Sequence, residues 1–175
     1  MGNFQRSEAV AVLERTPHAL RCLLDGVPDA WLDCDEGPDT FSPREVIAHL
    51  IHGERTDWLV RARRILEHGP ELAFEPFDRF GHRAYADRPV HELLDELERL
   101  RRENLDALRD LVADEHLDRR GFHPALGGVS MRQLLSAWVV HDFTHIAQIA
   151  RVMAHRYAGD VGPWVEYMGV LQWRR

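Results

Sequence analysis

Apolar residues recur at spacings of three and four in four long stretches of the chain, and segments rich in Gly, Pro and Asp separate them. The first stretch runs from about Ser7 to Asp25, with Val10, Leu13, Leu20, Leu23 and Leu24 as its stripe and Ser7 as its cap. Pro17 lies inside it and predicts a kink or break near Thr16, because proline removes a backbone donor and clashes with the preceding turn. The second stretch opens at Ser42-Pro43-Arg44-Glu45, a capping box with proline at the first helical position, and should run to about His68, where Gly69-Pro70 stops it. Val46, Ile47, Leu50, Ile51, Trp58, Leu59, Ile65 and Leu66 form its buried side. A third helix is expected from about Val90 to Ala113 on a leucine stripe, with Asn104 where an apolar residue would fit. The fourth opens at a second capping box, Ser130-Met131-Arg132-Gln133, and should end near Ala158. The tail around Gly162 to Met168 reads as a short turn or helix whose aromatics pack back on the bundle.

Four long amphipathic helices with no useful strand-like alternation imply an all-α four-helix bundle, a single domain over residues 1–175. The connector Gly69–Pro89 is about 21 residues long. Fully extended it spans up to ~70 Å, whereas a 25-residue helix is ~38 Å long. It can therefore cross back along the bundle and leave helices 2 and 3 parallel. Its aromatic segment, Pro76-Phe77-Asp78-Arg79-Phe80, can fold over a pocket or plug the bundle end.

Composition narrows the function classes. A net charge of −7 argues against nucleic acid as a partner. No run of 18 apolar residues is present, which excludes a membrane span of that kind, and the first residues carry no apolar signal-peptide core, so a cytoplasmic location is expected. Cys22 and Cys34 have neither metal nor redox spacing. All 22 basic residues are arginine, which removes Schiff-base chemistry on a lysine amine.

The candidate chemistry lies on the fourth helix. His141 and His145 are four apart, so both imidazoles leave the same face, one turn from each other. That face is also the apolar one, since Leu134, Trp138, His141, His145, Gln148 and Val152 follow at intervals of three and four. With 11 His in the chain, about 0.7 such pairs would arise by chance, so a third ligand must come from elsewhere. His49, within the buried side of helix 2, completes a three-imidazole set; His52 competes with it, about 60° round the helix. Gly53, one turn beyond His49, is expected to leave open space there. Three protein ligands with an open position match a catalytic metal site, and imidazoles suit zinc, nickel, iron or copper. Ferritin-like di-iron chemistry needs Glu-x-x-His on two helices, and neither helix carries one. Asn104 and Gln148 sit on core stripes and are candidates for groups behind the ligands; Glu54 is a candidate for the same layer and for a general base. Asp142 lies about 100° off the stripe and is expected to bond at the helix surface. A rival reading is a non-enzymatic metal-binding, stress-response protein with a closed four-ligand shell.

The segments Phe41 to Leu50, Asn104-Leu105, Val129 to Leu135, Val140 to Ile149 and Val161 to Tyr167 resemble the DinB/YfiT-like family of metalloenzymes, in its small single-domain branch. The resemblance spans nearly the whole chain. It implies a left-handed bundle in up-down-down-up order, with His49, His141 and His145 as ligands to a divalent transition metal, zinc or nickel foremost and iron next. Relatives include transferases and isomerases, so the resemblance also implies a low-molecular-weight thiol such as mycothiol or bacillithiol as a candidate co-substrate; a small-molecule substrate, transferase or hydrolase chemistry and a homodimer are expected.

Overall fold

The computed structural model describes residues 4–172, and its core is built from the four predicted helical stretches, two of them broken. The first is split into α1 (Arg6–Leu13) and α2 (Thr16–Leu24). The break, at Glu14 and Arg15, falls just before Pro17 for a local reason. Proline cannot donate the bond that a continuous helix would send from residue 17 to the carbonyl of Leu13. That buried carbonyl is instead satisfied by Arg101 Nη1 at 2.8 Å. Ser7 lies inside α1 rather than capping it; Gln5 takes the cap position, with no side-chain bond.

A short helix, α3 (Asp29–Leu32), follows, and then α4 (Pro43–Thr56) starts on the expected capping box: Ser42 Oγ accepts from Glu45 N–H at 3.2 Å, and the Glu45 carboxylate accepts from Ser42 N–H at 2.9 Å. The predicted single helix to His68 is interrupted at Asp57, whose φ of −116° and ψ of −75° turn the chain before α5 (Trp58–His68). Trp58 thereby stacks on Trp138, with ring centroids 5.6 Å apart and planes 6° from parallel. Gly53 serves this stack: a Cβ there would lie 3.3 Å from the Trp58 indole nitrogen. The space that the glycine leaves is filled by Trp58 and is not an opening beside His49.

The long connector contains two single 3-10 turns, Gly69–Glu71 and Gly81–Ala84, and leads to α6 (Val90–Leu111). The next connector, expected to be irregular, forms a hairpin of β1 (Arg120–His123) and β2 (Gly127–Ser130), antiparallel with Arg120 opposite Ser130. Phe74 N–H of the long connector donates to Phe122 O at 2.9 Å and pins the connector to the hairpin. From Ser130, which caps it as expected, α7 (Met131–His155) runs the length of the bundle. The tail adds a 3-10 turn and α8 (Gly169–Gln172), but Trp164 and Tyr167 are exposed, contrary to the expectation that they pack back.

Cross-helix bonds set the order of the bundle. Pairings of residue 44 with 88 and of 54 with 104 make α4 and α6 parallel. Pairings of 49 with 141 and of 54 with 138 make α4 and α7 antiparallel. Arg21 meets Asp95 and Glu98 while Glu14 meets Arg109, so the first helix opposes α6. The order is up-down-down-up, with the long connector as the crossover. Two apolar clusters fill the interior, one around Trp58, Leu108 and Trp138, the other around Ile47, Leu93 and Ile149. Among the described residues no helix is long and apolar enough to cross a membrane.

Candidate metal centre

Helices α4 and α7 bring His49, His141 and His145 together, and their ligand atoms all lie within 4.8 Å of one another. His141 Nε2 is 3.2 Å from His49 Nε2 and 3.1 Å from His145 Nε2. His52 is not part of the group: its ring packs against Phe77 and Tyr85. Gly81 closes over it, at a point where a Cβ would lie 2.2 Å from the imidazole.

The proton arrangement shows why this cluster fits a cation. His145 Nδ1–H donates to Gln148 Oε1 at 2.8 Å, which leaves His145 Nε2 as a lone pair. His141 Nε2 then faces two ring nitrogens, and a single N–H or a single lone pair cannot bond well to both. One positive ion accepting all three lone pairs removes the conflict. Tetrahedral bonds of about 2.0–2.1 Å place nitrogens about 3.3 Å apart, close to the two distances from His141 Nε2 to its neighbours. The protons then sit on Nδ1 of His49 and His141, neither of which has a hydrogen-bond partner among the described residues.

Burial keeps these rings neutral, as a metal ligand must be. Loss of solvation, reinforced by His145, lowers the pKa of His49 and of His141 to about 3. His145 is lowered in the same way, with the Gln148 bond opposing the shift. The sign of the linkage follows: across the window from the usual 6.5 down to about 3 the unfolded chain binds more protons than the folded one, so the metal-free protein loses stability as pH falls. We predict that its thermal midpoint declines between pH 6.5 and 5, and declines less in His49→Gln; equal slopes by scanning calorimetry would contradict this.

Of the other candidate residues, Gln148 is the only one hydrogen-bonded to a ligand imidazole. Asn104 and Glu54 lie in a separate buried network. Asn104 Nδ2 donates to Glu54 O at 2.8 Å and to Glu54 Oε2 at 2.9 Å, while Glu54 Oε1 accepts from Arg101 Nε at 2.9 Å and Trp138 Nε1 at 3.2 Å. Burial pushes the Glu54 carboxyl up from its usual range, against the opposing pull of Arg101. Asp142 belongs to the same network and is 1 % exposed, pairing with Arg101 at 2.6 Å rather than bonding at the surface. The expectation failed because α7 is covered on several sides at once, so 100° off its stripe is still interior.

Two further groups lie near the imidazoles: Phe77, from the aromatic segment expected to fold over a pocket, and His82, which was missed from sequence. Phe77, in the crossover, stands edge-on to His49 with centroids 5.5 Å apart, so the connector does fold over this site. His82 is 1 % exposed, its ring 6.2 Å from that of His49 and 4.5 Å from that of Phe41. Its Nδ1–H donates to Arg79 O at 3.0 Å, leaving Nε2 unprotonated in the neutral ring. Only its place in a connector already marked by aromatics signalled it.

A family model for the DinB superfamily matches residues 12–149. Among solved structures the chain is similar to YfiT from Bacillus subtilis, described as a probable metal-dependent hydrolase with an unusual four-helix bundle topology. The TM-score is 0.72 at 22% identity, covering 89% of this chain and 91% of that one, a likeness of fold. No curated protein matches the chain. With the family model covering most of the chain and all three converging histidines, the chain belongs to the DinB superfamily.

Proposed function

We propose that this chain is a metal-dependent enzyme in which His49, His141 and His145 hold one divalent transition metal, and in which water or a low-molecular-weight thiol attacks a small-molecule substrate. The observation that carries this reading is the convergence of three ε nitrogens at a spacing that hydrogen bonding among neutral imidazoles does not satisfy. The fold shared with YfiT supports the hydrolytic form of it. When bound, zinc, nickel or iron supplies a Lewis-acidic position at which a water or thiol loses its proton near neutral pH.

The chain's own residues have separate parts. Gln148 holds the His145 proton on Nδ1, so that Nε2 stays a lone pair. Phe41 and Phe77 cover His49 and limit water around it. His82, anchored to the Arg79 carbonyl, packs against Phe41 and beside His49 and closes the same side of the site. Among the described residues the group that gathers at the centre is His49, His141 and His145, the three imidazoles that would hold the metal.

Metal analysis of protein purified without a polyhistidine tag tests the reading. About one ion per chain is expected, lost in His145→Ala; less than about one-tenth equivalent, unchanged in that variant, overturns it. Metal-dependent turnover of an activated ester in buffer alone supports water as the nucleophile, and turnover of an electrophile only when bacillithiol or mycothiol is added supports the thiol.

A further inference from the structure

Beside the imidazoles lies a groove of about 460 Å³ that the chemistry above does not use. Trp58, Phe74, Leu126, Val129, Leu134 and Ala137 line it, and its surface is mostly apolar. Its size is within the range of small-molecule sites.

The groove adjoins the metal centre at three points. Trp58 lines it and also stands edge-on to His141, with ring centroids 5.1 Å apart. Phe74 lines it, while Phe77, three residues further along the same connector, packs against His49. On α7, Gln133, Ala137, His141 and His145 succeed one another at intervals of four, so the groove floor reaches the first ligand after one helical turn, about 6 Å.

Each polar side chain around the groove has a bond that holds it in the scaffold. Arg61 pairs with Asp57 at 2.5 Å and lies over the Phe74 ring. Gln133 Oε1 accepts from Ser130 N–H at 2.8 Å in the helix cap. His123 Nδ1 accepts from the N–H groups of Ala125 and Leu126, shaping the hairpin turn. What the groove offers a ligand is carbon surface, and the small side chain of Ala137 keeps its floor low.

We infer that this groove receives an alkyl or aryl tail of the substrate whose reacting end lies at His49, His141 and His145. The inference rests on the metal-centre reading, and names the substrate class: a small molecule with a polar reactive head and an apolar tail.

A homologous series of n-alkyl hydroxamates separates the two claims, because the head chelates a metal while the tail reports the groove. Titration calorimetry of zinc-loaded protein should show affinity rising about threefold to fourfold per methylene from acetohydroxamate towards octanohydroxamate. Ala137→Trp fills the floor from an exposed helical position and should flatten that gradient, leaving acetohydroxamate binding and the thermal midpoint as in the wild type. Equal affinity along the series in the wild type, or a gradient that survives Ala137→Trp, overturns the tail site and leaves the metal reading standing. Failure of the metal reading has another signature, in which no hydroxamate binds either protein. The groove is then read on metal-free protein with 1-anilinonaphthalene-8-sulfonate fluorescence: a loss of about fivefold or more in affinity on Ala137→Trp supports an apolar ligand site, and an unchanged affinity overturns it.

Discussion

Replacing Arg101 with alanine is expected to cost about 3–5 kcal/mol of folding stability, because it leaves two buried carboxylates without their cation. Arg101 is 1 % exposed and joins four helices at one level. From α6 it bonds Glu54 on α4, Asp142 on α7 and the Leu13 carbonyl at the end of α1. Removing the guanidinium also leaves without a donor the very carbonyl that Pro17 cannot serve. Burial already holds the Glu54 carboxyl above its usual range, so it should take up a proton in the variant. For a domain whose whole stability is about 5–15 kcal/mol, such a loss is large. Urea unfolding followed by circular dichroism and tryptophan fluorescence measures it, and a loss under about 1 kcal/mol would show that the network contributes little. A triple replacement, Arg101→Met with Glu54→Leu and Asp142→Leu, should recover most of the stability, since an apolar substitute for a buried ionic cluster avoids the desolvation cost.

Loss of one ligand imidazole is the other large effect. Sharing an apparent binding free energy of about 10–16 kcal/mol among the ligands puts the cost of His141→Ala at about 10²–10⁴-fold in metal affinity. Gln148→Leu removes only the acceptor behind His145 and should cost about 10–100-fold. Competition titration against a chromophoric chelator gives both constants. Thermal melts provide a second reading, because a bound ion raises the midpoint in proportion to the logarithm of its concentration over Kd. A metal-dependent rise that persists undiminished in His141→Ala would rule out the three-imidazole site. Wild-type affinity in Gln148→Leu would confine the failure to the supporting bond.

Much of the scaffold was readable because its signals are local. The boxes at Ser42 and Ser130 formed as read, since a capping box involves only residues i and i+3. The first helix broke just before Pro17 because the missing donor belongs to that residue alone. The crossover length permitted the parallel pairing of α4 with α6, and the cross-helix bonds show that pairing. The bend at Asp57 was invisible, because the backbone bonds continue across it and its purpose, the Trp58–Trp138 stack, depends on a residue 80 positions away. The hairpin escaped notice because each strand is four residues long and the second opens on two glycines.

The candidate site divides along the same line. The i, i+4 spacing of His141 and His145 is a property of any helix, so the sequence by itself determined that the two imidazoles share a face. It also determined the bundle class, from four stripes at helical period. Only the tertiary structure decided which side chains meet there. The antiparallel packing of α4 on α7 brings His49 to the group and leaves His52 against Phe77. The crossover brings Phe77 and His82 over the ring of His49. Packing on several sides of α7 turns Asp142 inward to Arg101, and the tilt of Trp58 fills the space left by Gly53 while walling an apolar groove beside the imidazoles. Periodicity states which residues of one helix point together; what they point at depends on the rotation and neighbours of every other helix, and those are set by packing the whole core at once.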